Sequence, residues 1–543
     1  MLPWLIGGGV FFLVVATIPH YGLTWDEPGY FYASDLETQW LVGFGRNLFD
    51  GKVSNSLQDN IIQAAWHWDA YHVPHPPFSR IFSGLTKVVF SPFIDKFTAY
   101  RLAPALLFAL LAAVMYQWMS TVFDRTIGLF AALTLVVIPN LFGFAHFAVT
   151  DMPLTAMWFF TVYCFWKGLK DWQWSLVLGV VWGLALSTKF PAIAIPIPLL
   201  LWAHLYHRPF YANNLFSMIF LSPVVMVGAQ PYLWHQTTRR VFEFLYDGLS
   251  RGYRLDTNFP IYFFDRLYLT NELPWYYPFF ITGITLPESI LALVCLGLLA
   301  MPWLKPQRSI MILFSLNAGF ILVMGLLPGA VLHDGTRQLL PVLPFLAALA
   351  GGGFYCLSEF ATEKSRRFAA LQTIRRLPSK LSGILMFLAL SLPTFDLLAF
   401  HPYELSYFNR LIGGVRGAYQ RGLEVTYFME VLNPSFLKHL NDHLPANAAI
   451  NAFLSNFMLT YYQQDGRLRE DIRIVDSMDV QYTILLNRRS TFAEGSHALV
   501  KSVRPHDAFR LDGVPLVLIY RIMEEPLQAF PPDNTKSEKK AKQ

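Results

Sequence analysis

Eleven apolar runs, each near the ~20 residues that cross a bilayer as a helix, constrain this chain of 543 residues more than any other feature. They lie at about 2–19, 100–120, 127–148, 153–169, 174–188, 190–206, 214–230, 278–302, 309–328, 337–357 and 381–400. A chain with so many such runs must satisfy its backbone hydrogen bonds within helices, because lipid offers no partners. Composition agrees. Hydrophobic residues make up 54% and charged residues 15%, against about 25% charged in soluble domains. The 47 Phe, 25 Tyr and 15 Trp cluster near helix ends, as in an interfacial belt. The run at 2–18 lacks a basic leader and an Ala-x-Ala-like cleavage site, so it reads as a retained anchor.

The fold class expected is an α-helical polytopic membrane protein of about eleven transmembrane helices. The membrane part covers residues 1–400. Its first outer loop, about 20–98, carries Trp- and His-rich amphipathic stretches that suit helices lying in the interface. Residues 401–530 alternate helical patterns with β-rich runs at 448–453, 472–475, 482–486 and 515–522. Asp512-Gly513 is a hairpin signal. A small extracytoplasmic α/β domain is expected there, followed by a disordered polar tail at 531–543. Cys164, Cys295 and Cys356 all lie in apolar runs, so no disulfide framework or Cys metal site is expected.

Orientation follows from Lys and Arg in short loops. With the N-terminus inside, the inner loops hold Arg125, Lys167, Lys170, Arg208, Lys305, Arg308 and the basic stretch 364–380. The short outer loops hold almost none beyond Lys189. Acids and bases from distant positions then meet at one membrane face: Asp26 and Glu27, Asp151, Lys189, and the group His333, Asp334 and Arg337. The net charge of +5 is scattered, without a basic stripe, so nucleic acid is not an expected partner.

Each of these residues has a plain reading and a chemical one. Asp26 and Asp151 sit where helices begin, and Asp is a good N-cap. As chemistry, a carboxylate at a membrane surface suits a general base, and paired acids can divide roles or hold a hard divalent ion. Asp151 and Glu27 are the candidate ligands for such an ion, which is optional, with no cofactor required. Lys189 can snorkel at a helix end or contact a phosphate. Arg337 can pair with Asp334 or bind a phosphate with its planar fork. His67, Asp69, His72 and His75 lie within nine residues, but their spacing fits no standard zinc pattern. No P-loop or dinucleotide fingerprint lies in a strand–turn–helix context. Gly351-Gly352-Gly353 falls inside an apolar run, where glycines allow close helix packing.

The set of motifs resembles the glycosyltransferase-C superfamily, in particular its protein O-mannosyltransferase-like and aminoarabinose-transferase-like members. Asp26-Glu27 after the first span is similar to the family's opening acidic motif. Thr150-Asp151-Met152-Pro153 is similar to its second acidic motif, His75-Pro76-Pro77-Phe78 to its Pro-Pro motif, and Arg337 with Pro341 to its Arg-x-x-x-Pro helix start. The stretch His401–Asn409 with Gly413-Gly414 resembles the segment after the last helix in bacterial members. The chain departs from the pattern at Pro74-His75, where aminoarabinose-transferase-like members carry Glu-Lys.

The resemblance implies an inverting transfer of a sugar from a polyprenyl-phosphate-linked donor to an acceptor hydroxyl at the outer face of a bacterial inner membrane. Asp26 would be the general base, with Glu27 and Asp151 as further acids. Arg337, Lys189, His75 and His333 would hold the donor phosphate. Tyr407 and Asn409 would lie on the acceptor side. The acceptor class, whether lipid, glycan or protein, stays open. A transporter or flippase of a lipid-linked or anionic solute is the alternative, since charged residues and broken helices occur there too. The clustering of polar residues on one face disfavours it.

Overall fold

The computed structural model describes residues 1–66, 75–207, 211–251, 259–269, 272–369, 377–477 and 479–522. The segments at 67–74, with His67, Asp69 and His72, and at 531–543 lie outside the described residues. The molecule is mainly helical, and it is an integral membrane protein. Four helices among the described residues are long and apolar enough to cross a bilayer alone, at Leu2–His20, Lys96–Val122, Val342–Thr362 and Leu381–Phe400. Shorter apolar helices cover Arg125–Val137, Trp172–Leu186, Phe190–Tyr206, Ala212–Gly228, Glu288–Ala300 and Arg308–Met324.

The breaks between these helices have local causes. The helix Trp172–Leu186 stops before Lys189, whose backbone is extended, and a 3₁₀ turn starts at Phe190 ahead of Pro191. The run at 278–302 is two helices, Tyr277–Ile284 and Glu288–Ala300. Pro287 cannot continue a helix. Asn409 satisfies the backbone freed at this break: its Nδ2 donates to the carbonyls of Gly283 (2.8 Å) and Leu286 (2.9 Å), and its N–H to that of Ile284 (2.7 Å).

Helix packing is closest where Glu288–Ala300 meets Val342–Ala369. A Cβ placed on Gly353 would lie 1.9 Å from the Leu293 carbonyl oxygen, and one on Gly297 would lie 2.4 Å from that of Leu349. In the first long loop, helices Glu27–Phe49, Asp59–Trp66 and Phe78–Phe90 follow one another. The second long loop carries the helix Thr237–Ser250 and a hairpin of β1 (Ile261–Phe263) and β2 (Arg266–Tyr268).

After the helix Leu377–Phe400 the chain packs back against the segment that precedes the helix Glu27–Phe49. The N–H groups of Gly22 and Trp25 donate to the carbonyls of Glu430 and Phe428. Beyond it lie β3 (Ala449–Asn451), β4 (Arg473–Ile474), β5 (Tyr482–Leu486), β6 (Asp507–Leu511) and β7 (Val514–Arg521). They form one sheet in the order β4-β3-β5-β7-β6. The β3 pairings are parallel, and β5-β7 and β6-β7 are antiparallel. Asp512 and Gly513 take the positive φ that a tight β6–β7 turn requires.

Candidate active site

Asp26 precedes the helix Glu27–Phe49, and Asp151 begins the helix Asp151–Gly168. Neither side chain caps its helix. Both turn instead to Arg337. The Arg337 guanidinium divides its donors among three carboxylates: Nε to Asp151 (3.1 Å), Nη1 to Asp334 (3.0 Å) and Nη2 to Asp26. Its flat face lies 4.1 Å from the centre of the Phe428 ring, a stacked cation–π contact. Lys189 bridges the second oxygen of Asp151 (2.8 Å) and Gln338 Oε1 (2.9 Å).

The turn that aims Arg337 needs left-handed backbone at Asp334 (φ 65°) and Gly335 (φ 61°). Asp tolerates that region. A Cβ on Gly335 would press against the Tyr427 ring at 2.9 Å. Asp334 accepts a second cation from the far end of the chain, Arg488 Nη2, at 2.9 Å. Three acids (Asp26, Asp151 and Asp334) and three bases (Lys189, Arg337 and Arg488) thus form one alternating network. Asp151 and Asp334 are buried, whereas the Asp26 side chain is 24% exposed. Its other oxygen has no hydrogen bond among the described residues.

His75 and His333 flank this network. The ring of His75 faces Arg251 at 3.4 Å. Burial, followed by the charges of Arg251, Lys189, Arg337 and Arg80, holds its pKa well below the usual imidazole value. His333 lies 3.7 Å from Asp334. Burial pulls its pKa down to about 4 against the pull of Asp334. The downward shift of both rings favours the neutral form, which can offer a phosphate a hydrogen bond without a charge. A cavity of about 290 Å³ opens beside His75, between Trp66, Arg80, Tyr232 and Phe244. Arg80 fixes this wall by pairing with buried Glu37 and donating to the His75 carbonyl at 2.6 Å.

Three sequence expectations are corrected here. Glu27 does not share Asp26's surroundings. Its carboxylate takes both prongs of the buried Arg101 guanidinium (2.7 and 2.6 Å) and the N–H groups of Ala148 and Thr24. Arg101 also holds the Tyr21 and Gly22 carbonyls, so the pair ties the first long loop to the helix Lys96–Val122. Tyr407 donates to Asp396, which Arg410 neutralises, and Asn409 fills the helix break at 285–287. Both are committed to the scaffold and do not reach the acid–base network. Finally, Asp151 and Glu27 do not suit a divalent ion, because each is already neutralised by buried cations and they share no partner. Among the described residues no group of three or more His, Cys, Asp or Glu side chains could hold a metal.

Sequence reasoning missed Arg101, Arg80 and Arg488. An arginine inside an apolar run, as at 101, was a signal in itself, since charge at that depth demands a partner. Arg488 carries no such signal.

Residues 74–235, which contain His75, Asp151 and Lys189, match the family model described as dolichyl-phosphate-mannose-protein mannosyltransferase. No curated protein matches the chain. Among solved structures, the chain is similar to ArnT from Cupriavidus metallidurans bound to undecaprenyl phosphate, at 15% identity and a TM-score of 0.48, over 95% of this chain and 97% of that one. The apo state of that protein gives 16% identity and the same score. The oligosaccharyltransferase AglB from Archaeoglobus fulgidus, in complex with an inhibitory peptide and a dolichol-phosphate, gives 10% identity and a TM-score of 0.37, over 76% of this chain and 61% of that one. The family match lies over one flank of the acid–base network, so in that region the chain is similar to the dolichyl-phosphate-mannose-protein mannosyltransferase family.

Proposed function

We propose that this protein is an inverting glycosyltransferase that moves a sugar from a polyprenyl-phosphate donor to an acceptor hydroxyl at the outer face of a bacterial inner membrane. The observation that carries this reading is the asymmetry of the acids. Asp151 and Asp334 are buried and paired with cations, whereas the Asp26 side chain keeps solvent exposure. A general base must reach the proton it takes, and Asp26 is the acid that can.

In the proposed step the acceptor oxygen attacks the anomeric carbon from the face opposite the phosphate. Its proton passes to Asp26. The bond from the anomeric carbon to the phosphate oxygen breaks, and the electron pair leaves with the polyprenyl phosphate anion. Arg337 and Lys189 supply the positive charge near the departing oxygen, stabilising charge where it develops. Asp151 holds both cations in place before the donor arrives. His75 and His333, being neutral, orient the phosphate through hydrogen bonds. Eleven membrane crossings with the N-terminus inside would put the network and residues 401–530 on the outer side, in keeping with the basic residues of the opposite loops. No step runs through a metal, because the donor set does not fit one.

The test is transfer by the purified protein in lipid, offered a panel of polyprenyl-phosphate sugars with detergent-solubilised lipid, glycan and peptide acceptors. Release of polyprenyl phosphate from at least one donor, with inverted product, is expected. Movement of donor across the bilayer without its cleavage would replace this reading with a transporter.

A further inference from the structure

We propose that Arg488, in the C-terminal segment beyond the membrane helices, is a positioning residue for transfer: through Asp334 it holds Arg337 in register with Asp26 and Asp151. The inference rests on the reading of Asp26 as the base, and it makes the C-terminal segment part of the catalytic apparatus.

The geometry supporting it runs outward from Arg337. Two of its three donor groups face the two acids proposed for chemistry and its support. The third, Nη1, faces Asp334 at 3.0 Å. Asp334 in turn lies 2.9 Å from Arg488 Nη2. Arg488 is itself fixed: its Nη1 donates to the Tyr427 carbonyl at 2.7 Å, and its backbone comes just after β5. The next fixed point is Ser490, whose N–H and hydroxyl both donate to Glu424 at 2.8 Å. Asn487 anchors the strand end through the carbonyls of Leu516 and Pro515. The C-terminal end of the central strand β5 therefore presents one buried guanidinium to the far side of Asp334.

Charge balance explains why this matters. With Arg488 present, three acids face three bases. Without it, three acids share Arg337 and Lys189. Asp334, buried and now lacking its second cation, would draw Arg337 into a two-pronged pair. Such pairs are the stronger geometry for a guanidinium, so Arg337 would turn away from Asp26. The charged and titratable groups around the Asp26–Arg337 contact are Asp151, Lys189, Asp334, His75 and His333, with Tyr30 and Arg80 beside Asp26, Arg251 on the histidine side, and Glu424 and Glu430 beyond Asp334. Among the described residues, loss of Arg488 leaves Arg337 as the only permanently charged partner of Asp334, with His333 at 3.7 Å.

The test compares full-length wild type, R488Q and R488K in lipid. One readout is independent of turnover: the infrared carboxylate stretch of Asp26, assigned by its loss in Asp26→Asn. The band should change position in R488Q, because Arg337 leaves Asp26 and the carboxylate loses its charged hydrogen-bond donor. R488K, which keeps the charge on Asp334, should stay close to wild type. The second readout is transfer from undecaprenyl-phosphate mannose. Turnover of R488Q should fall on the order of tenfold or more, with the donor KM little changed and R488K recovering most of the loss. An Asp26 band that stays in place in folded R488Q would overturn the proposal. So would R488K behaving like R488Q while both melt at lower temperature, since that is a purely structural role. If wild type transfers from none of a panel of polyprenyl-phosphate sugars but the band still moves, the transfer reading is what fails, and the coupling of Arg488 to Asp26 stands.

Discussion

Asp26 and Glu27 are neighbours in sequence and leave the helix start about 100° apart, one toward Arg337 and the other toward Arg101. Nothing in the sequence says which of two adjacent acids will face a site, so both were expected there. The structure separates a half-open acid from a fully buried one. Removing one partner of a buried pair strands the other charge, at a cost of about 3–5 kcal/mol. Glu27→Gln should therefore melt well below wild type in a thermal unfolding assay, whereas Asp26→Asn should melt close to it. Equal melting of the two would contradict the division of roles. A second residue-scale prediction concerns Glu430. It is 1% exposed and neither of its oxygens has a side-chain hydrogen bond. Burial raises its pKa to about 7. A carboxyl whose folded pKa lies above its unfolded value of 4.5 favours folding below that value, and the contribution is lost as pH rises through about 7. Glu430→Gln should thus be more stable than wild type at pH 8, on the order of 2 kcal/mol, with the gap closing below pH ~4.5. A gap independent of pH would show that the carboxyl is not the cause.

At the scale of elements, the apolar runs were legible because length and hydropathy alone set them. A helix lies over each of them. The break at 285–287 was not read, since apolar residues continue on both sides, although Pro287 was the available signal. In the C-terminal segment, β3, β4, β5 and β7 lie where β-rich runs occur in the sequence, and Asp512-Gly513 makes the turn. β6 (Asp507–Leu511) is half polar and short, and only its pairing with β7 reveals it. The glycine run at 351–353 illustrates a pattern with a checkable consequence. Gly353 leaves no room for a Cβ against Leu293, whereas a Cβ on Gly8 would meet nothing. Gly353→Ala should push two helices apart and cost roughly 1–3 kcal/mol, read as a lower melting temperature in detergent. Gly8→Ala should leave it unchanged. Indifference to Gly353→Ala would mean that this helix pair is not closely packed.

At the scale of the whole molecule, membrane topology made the acid–base set legible in outline. The alternation of apolar runs leads to the expectation that Asp26, Asp151, Lys189 and Arg337 meet at one face, and the structure joins the four in one network. What topology could not supply is the sharing among them: that one guanidinium serves three acids, and that the third is held by Arg488 from the C-terminal segment. Such pairings depend on tertiary packing between a turn at 333–337 and the segment 487–490 after the central strand β5, and no periodicity encodes them. The central claim is that Asp26 takes the acceptor proton while Arg337 and Lys189 of the surrounding network stabilise the departing phosphate. The most direct measurement is turnover of Asp26→Asn beside wild type, with donor affinity measured separately by binding of undecaprenyl phosphate. The account predicts a loss of turnover of about 10²–10⁴-fold with affinity nearly unchanged. An Asn variant that turns over like wild type would contradict it.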